Sequence, residues 1–215
     1  MCWNEHISLN TFLFSSFVLL LITYNNLFTK YKIQELNNIF VYLFIVSVIF
    51  MQLIEFFIWK NINNKFYNNM FSIMATLLLL LQPIASIMIL SNIQLRNILL
   101  FLYLLLAIPF SIYTFSTTHI HSVISKSGHL DWKFFGATPI ISITWLFFFL
   151  FSLIYEKRWF GIIFAIVTLI ITFINYRNDR AVVGSMWCWI VNSIMIYYAF
   201  YLLLYLPFLE KSNIC

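Results

Sequence analysis

Charge is what this sequence has least of. Only 9% of its 215 residues are Asp, Glu, Lys or Arg, against roughly 25% in soluble domains. So few charged side chains cannot cover a surface that faces water, and a soluble fold is excluded. Glycine and proline are scarce as well, four of each. That leaves little material for disordered linkers, no low-complexity tail is present, and the chain reads as one domain. The three cysteines, Cys2, Cys188 and Cys215, are odd in number and far apart, which excludes a disulfide framework and a zinc ribbon. Cys2 and Cys215 are open to pairing, to acylation or to remaining plain thiols. The terminal Ser-Asn-Ile-Cys is not a prenylation signal, and Met1-Cys2 does not allow N-myristoylation.

Other functions go with other absences. No glycine-rich phosphate loop exists. The last apolar run has no lysine, so no retinal Schiff base can form there. That run also reads Met186-Trp187-Cys188-Trp189-Ile190, without the histidines one turn apart that a membrane hydrolase of the alkaline ceramidase or adiponectin-receptor type requires. The net charge of +5 does not point to nucleic acid. The basic residues stand singly or in pairs between apolar runs, as interface anchors and lipid-headgroup contacts.

What is abundant is apolar sequence, 63% of the chain. Seven runs approach the roughly 20 residues that span a bilayer core, at about 9–28, 39–59, 70–90, 98–115, 139–155, 160–175 and 185–208. The expected architecture is an all-α transmembrane bundle of seven spans, or six if 160–175 is re-entrant. The first eight residues have no basic n-region and include Glu5, so the first run reads as a retained signal anchor. With the N-terminus outside, Lys30, Lys32, Arg96, Lys157, Arg158 and Lys211 lie inside; Lys60, Lys65, Lys126, Lys133, Arg177 and Arg180 lie outside. That even split leaves orientation to the first span, where Glu5 precedes and Lys30 and Lys32 follow, and favours the N-terminus outside. No internal repeat of the transporter kind is convincing.

Candidate chemistry is confined to a few polar positions. Glu55 is the one acid or base inside any long apolar run, where an ionised group is costly and usually faces protein, water or a partner. Gln52, Glu55 and Trp59 fall at i, i+3 and i+7, on one helix face. Two readings stand: a proton or cation site that Gln52 helps to form, or a structural carboxyl, either neutral or paired with a basic side chain such as Lys60 or a loop arginine. Gln82 precedes Pro83 at mid-span, where the proline kinks the helix and frees a carbonyl that needs another donor. Gln82 either lines a cavity or bonds to a neighbouring backbone. Pro109 sits inside the next run. Asn192 and Ser193 are placed to bond across helices, and Trp187 and Trp189 fit an interfacial aromatic belt.

The longest polar segment, 117–136, holds His119, His121, His129 and Asp131, the right atoms for zinc but in no known spacing. Asp179 between Arg177 and Arg180 is either a headgroup or phosphate contact or a solvated cluster. No cofactor is implied. The expected partners are the lipid bilayer and a small solute or ion, and no feature fixes an oligomeric state.

Asn, Ile, Phe, Tyr and Lys are abundant, as an AT-rich genome would produce. Met1-Cys2-Trp3-Asn4, Gln52-x-x-Glu55-x-x-x-Trp59 and Gly128-His129-Leu130-Asp131-Trp132 together resemble an uncharacterised family of small seven-span membrane proteins. That family is found in giant DNA viruses and some eukaryotes. The resemblance implies the architecture and directs attention to Trp3, Gln52, Glu55 and Trp132; it brings no activity. The expected function is transport or sensing of a small solute, proton or ion through a polar site inside the bundle. The alternatives are a non-catalytic component of a viral or host membrane and, third, a metal-dependent membrane hydrolase on the histidine segment.

Overall fold

The structure, a computed structural model, describes residues 4–133 and 139–208. Cys2, Trp3, Lys211 and Cys215 lie outside the described residues. Helices run α1 (Glu5–Phe28), α2 (Ile39–Lys60), α3 (Lys65–Ile87) and α4 (Ile93–Thr117). After a two-stranded antiparallel hairpin, β1 (Ser122–Ile124) and β2 (Leu130–Trp132), come α5 (Pro139–Tyr155), α6 (Trp159–Asn175), α7 (Val183–Val191) and α8 (Ile194–Phe200).

Asparagine starts each of the first four helices. The side-chain oxygens of Asn4, Asn38, Asn64 and Asn92 accept first-turn amide N–H groups that would otherwise lack an intrahelical partner. These caps lie outside the apolar runs, so α3 begins at Lys65 and α4 at Ile93, each about one turn before its hydrophobic stretch.

Four of these helices and the stretch Arg180–Phe208 are long and apolar enough to cross a membrane. The chain is an all-α, multi-pass membrane protein. The two shorter apolar helices, α5 and α6, have 17 residues each, the lower end of what spans a bilayer. The last apolar run is not one straight helix. Asn192 Nδ2 donates to Cys188 O at 2.8 Å and Ser193 Oγ to Ile190 O at 2.6 Å, so both side chains bond within their own turns rather than across helices. This back-bonding competes with the helical ladder, and the run divides there into α7 and α8 before a π turn at Tyr201–Tyr205.

The α2 helix packs against α1, α3 and α7, and α3 against α5. Pro83 cannot donate to Leu79, and the freed carbonyl receives Trp145 Nε1 of α5 at 2.8 Å. Tyr103 OH of α4 donates to the adjacent carbonyl of Leu80 at 2.7 Å. The turn before Pro83 is thereby a joint between three helices. Helix α4 is otherwise peripheral, burying only Leu99, Tyr103 and Thr114.

The connections gather at two ends. At one, Arg158 Nη1 donates to Glu35 O at 3.1 Å, and Ser91 N and Oγ donate to Glu156 Oε1 at 2.6 and 2.9 Å. This joins the α1–α2, α3–α4 and α5–α6 connections. At the other, Asn68 Nδ2 and Asn69 Nδ2 of α3 donate to the main chain at Ser122 and Ile120, and Ser127 Oγ donates to Asp179 Oδ2 at 2.6 Å. This joins the start of α3, the hairpin and the α6–α7 connection.

Candidate functional site

Within the segment 117–136, read from sequence as a polar loop, the described residues up to Lys133 build a plug. Gly128, with φ of 80°, takes the left-handed turn position that a side chain would strain, and Ser125 N donates across the turn to His129 O at 2.8 Å. Leu130, Asp131 and Trp132 of β2 are all buried. The Trp132 ring lies over Gly184, where an added Cβ would stand 3.3 Å from it, so the absent side chain admits the indole. Ser185 Oγ donates to Leu130 O at 2.6 Å.

Two further contacts set the electrostatics of the plug. Asp179 accepts from Ser127, and these hydrogen bonds hold its carboxyl below the ordinary value of 3.8. His129 packs edge-on against Tyr176, and its burial keeps its pKa below 6.5, only partly offset by the charge of Asp179. A histidine so lowered takes its proton more readily in the unfolded chain, so its contribution is complete above pH 6.5 and erodes as pH falls below that. The contribution of Asp179 stays intact until pH drops below about 3.8. Amide exchange in 122–132, corrected for intrinsic rates, is expected to be faster at pH 5.5 than at 7.5; a flat profile would show that His129 does not restrain the plug.

Beneath the plug lies the Gln52–Glu55 pair. Gln52 Nε2 donates to Glu55 Oε2 at 2.7 Å, as one face of α2 requires. Glu55 is 3% exposed and Gln52 fully buried. Neither Glu55 Oε1 nor Gln52 Oε1 has a hydrogen-bond partner among the described residues. Among the described residues Glu55 pairs with neither Lys60 nor a loop arginine: Lys60 is exposed, with Nζ over the Phe56 ring at 5.8 Å. Glu55 and Trp59 border a cavity of about 20 Å³ together with Ser8, Leu130, Ser185 and Trp189. Ser8 comes from α1, Leu130 from the hairpin and Ser185 from α7, so four separate segments close around this point.

The other candidates are elsewhere. Gln82 is buried and its Nε2 donates to Ser47 O of α2 at 3.3 Å, the backbone-bonded alternative. Asn192 borders a different, larger cavity, together with Arg158 and Tyr198. Among the described residues no three His, Cys, Asp or Glu side chains gather as a metal would need. His119 and His121 pack against each other, Nδ1 of His121 is bonded to His119 O, His129 sits on Tyr176, and Asp131 pairs with Lys133 at 2.6 Å. The hairpin turns these residues to different surroundings, which spacing along an assumed loop does not reveal.

Asn68 is the residue the sequence gives no reason to single out. It bonds both main-chain groups of Ser122 and holds the plug to α3. The one available signal is the Asn68-Asn69 pair just inside a helix whose cap, Asn64, is already supplied.

No family model matches the chain, and no curated protein or solved structure matches it either.

Proposed function

We propose that this multi-pass membrane protein crosses the bilayer seven times, N-terminus outside, and uses Gln52 and Glu55 as a proton or small-cation site covered by the hairpin. The observation that carries this reading is a buried carboxyl, without a basic partner among the described residues, beside a cavity bordered by Ser8 and Ser185. At about 20 Å³ the cavity has room for roughly one water, which favours a proton or bare cation over a larger solute. Alternation of the connections between the two ends supports seven crossings, with α5 and α6 as short spans. Kinship with the seven-span family of giant viruses and eukaryotes, and residence in a viral or host membrane, belong to the same proposal. Its support is that Leu130 of one motif borders the same cavity as Glu55 and Trp59 of the other, and that Leu130, Trp132 and Trp59 belong to one apolar cluster.

A second reading, a scaffold without transport, is favoured by polar bonds that tie one helix to another, Gln82 to Ser47 O and Ser86 to Phe149 O. Proteoliposomes loaded with a pH-reporting dye separate the two. Wild type is expected to respond to an imposed proton or sodium gradient, and Glu55→Gln, which keeps the shape but not the titrating group, to fall to background. Equal background traces from both proteins would favour the scaffold.

A further inference from the structure

A second, partly enclosed cavity lies apart from Glu55. It lies between α2, α5, α6 and α8, has a volume of about 100 Å³ and is lined almost wholly by apolar side chains, Phe44, Ile49, Phe149 and Met195 among them. That is smaller than the ~150 Å³ apolar cavity that admits benzene, so it suits the leading end of an unbranched chain rather than a ring system. Gly161 borders it, and an added Cβ there would meet nothing within 4 Å.

The rim is polar and carries one charge of each sign, Glu35 and Arg158. The α5 helix ends in a turn where Lys157 takes φ of 54° and Arg158 N donates back to Leu153 O at 2.9 Å. This helix-terminating arrangement usually uses glycine, and here it sets Arg158 on the cavity rim at the start of α6. Arg158 Nη1 is held by Glu35 O at 3.1 Å, while Nε is buried with no hydrogen-bond partner among the described residues. No carboxylate pairs with the guanidinium among the described residues; Glu35 directs its carboxylate instead toward Tyr198 OH, at 3.5 Å. No side chain caps the N-terminus of α6, so the helix dipole adds positive potential at the same place.

We propose that this cavity binds a single-chain anionic amphiphile, its unbranched apolar chain inserted past Gly161 and its carboxylate or phosphate head on Arg158. The guanidinium supplies the forked donors such heads accept, and the rim lies at the end of the helices, where the head of a membrane amphiphile resides.

The test uses protein in phosphatidylcholine nanodiscs and diazirine-bearing decanoate, decyl phosphate and decanol, with the labelled peptides mapped. Wild type is expected to be labelled by both anions within 158–165, with labelling displaced by excess unmodified decanoate. Gly161→Leu fills the space and should abolish labelling by all three probes, whereas Gly161→Ala should leave it unchanged; melting temperatures confirm that both fold. Arg158→Gln should weaken labelling by the anions about ten-fold or more and leave decanol as it was. Unaltered labelling of Gly161→Leu, or labels scattered over the lipid-facing helices, would overturn the site. Equal anion labelling of wild type and Arg158→Gln would overturn the role of the head group. Decanoate and decyl phosphate labelling to different extents identifies the preferred head.

Discussion

Replacing Asn68 with leucine is expected to release the hairpin and lower stability by about 2–6 kcal/mol. The size follows from what the amide holds. Its Nδ2 donates to Ser122 O at 2.9 Å and to Ile62 O at 3.0 Å, while its Oδ1 accepts from Ser122 N at 2.9 Å and Ser72 Oγ at 3.2 Å. Leucine fills a similar volume, so packing is largely kept. The N–H and C=O of Ser122, itself 1% exposed, would be left buried without these partners, and each such group costs about 1–3 kcal/mol. Asn69→Leu removes one bond, to Ile120 O, and should have a distinctly smaller effect. Thermal melting in detergent and amide exchange over 120–132 read both outcomes. A melting point for Asn68→Leu within a degree or two of wild type would mean that α3 does not hold the plug.

That contrast also marks how far the sequence could be read. The apolar runs located the helices because length and hydropathy suffice for that, and Glu55 stood out because a lone charge in such a run is costly. The carbonyl freed by Pro83 was legible as a need. Its donor was not, since Trp145 lies 66 residues away and nothing local selects it among the aromatic side chains. The hairpin is not legible because each strand has only three residues, too few for alternation to register. Asn68 was hidden because asparagine is common here, and capping, by Asn4, Asn38, Asn64 and Asn92, already accounts for much of it. Asn192 was readable as polar in an apolar helix, but only the fold shows that it bonds to its own turn and borders the other cavity.

The Gln52–Glu55 pair offers a test that separates stability from activity. Gln52→Leu removes the one hydrogen bond made to Glu55 among the described residues and leaves the carboxyl buried without it. A loss of roughly 1–3 kcal/mol or more is expected, the penalty of an unsatisfied buried group. Replacing both residues with leucine removes the polar atoms altogether, and such double replacements are often near neutral or stabilising. The double variant should therefore melt close to wild type, higher than Gln52→Leu alone, while losing any response to a proton or cation gradient. If it melts as low as the two single variants added together, the pair is not energetically self-contained, and Ser8 or Ser185 across the cavity must share its stabilisation. If it melts like wild type and still responds, the site of transport or sensing lies elsewhere in the bundle. Recovered stability with the response gone would fit a polar pair kept in an apolar helix for the proton or cation it handles, since folding alone would do as well without it.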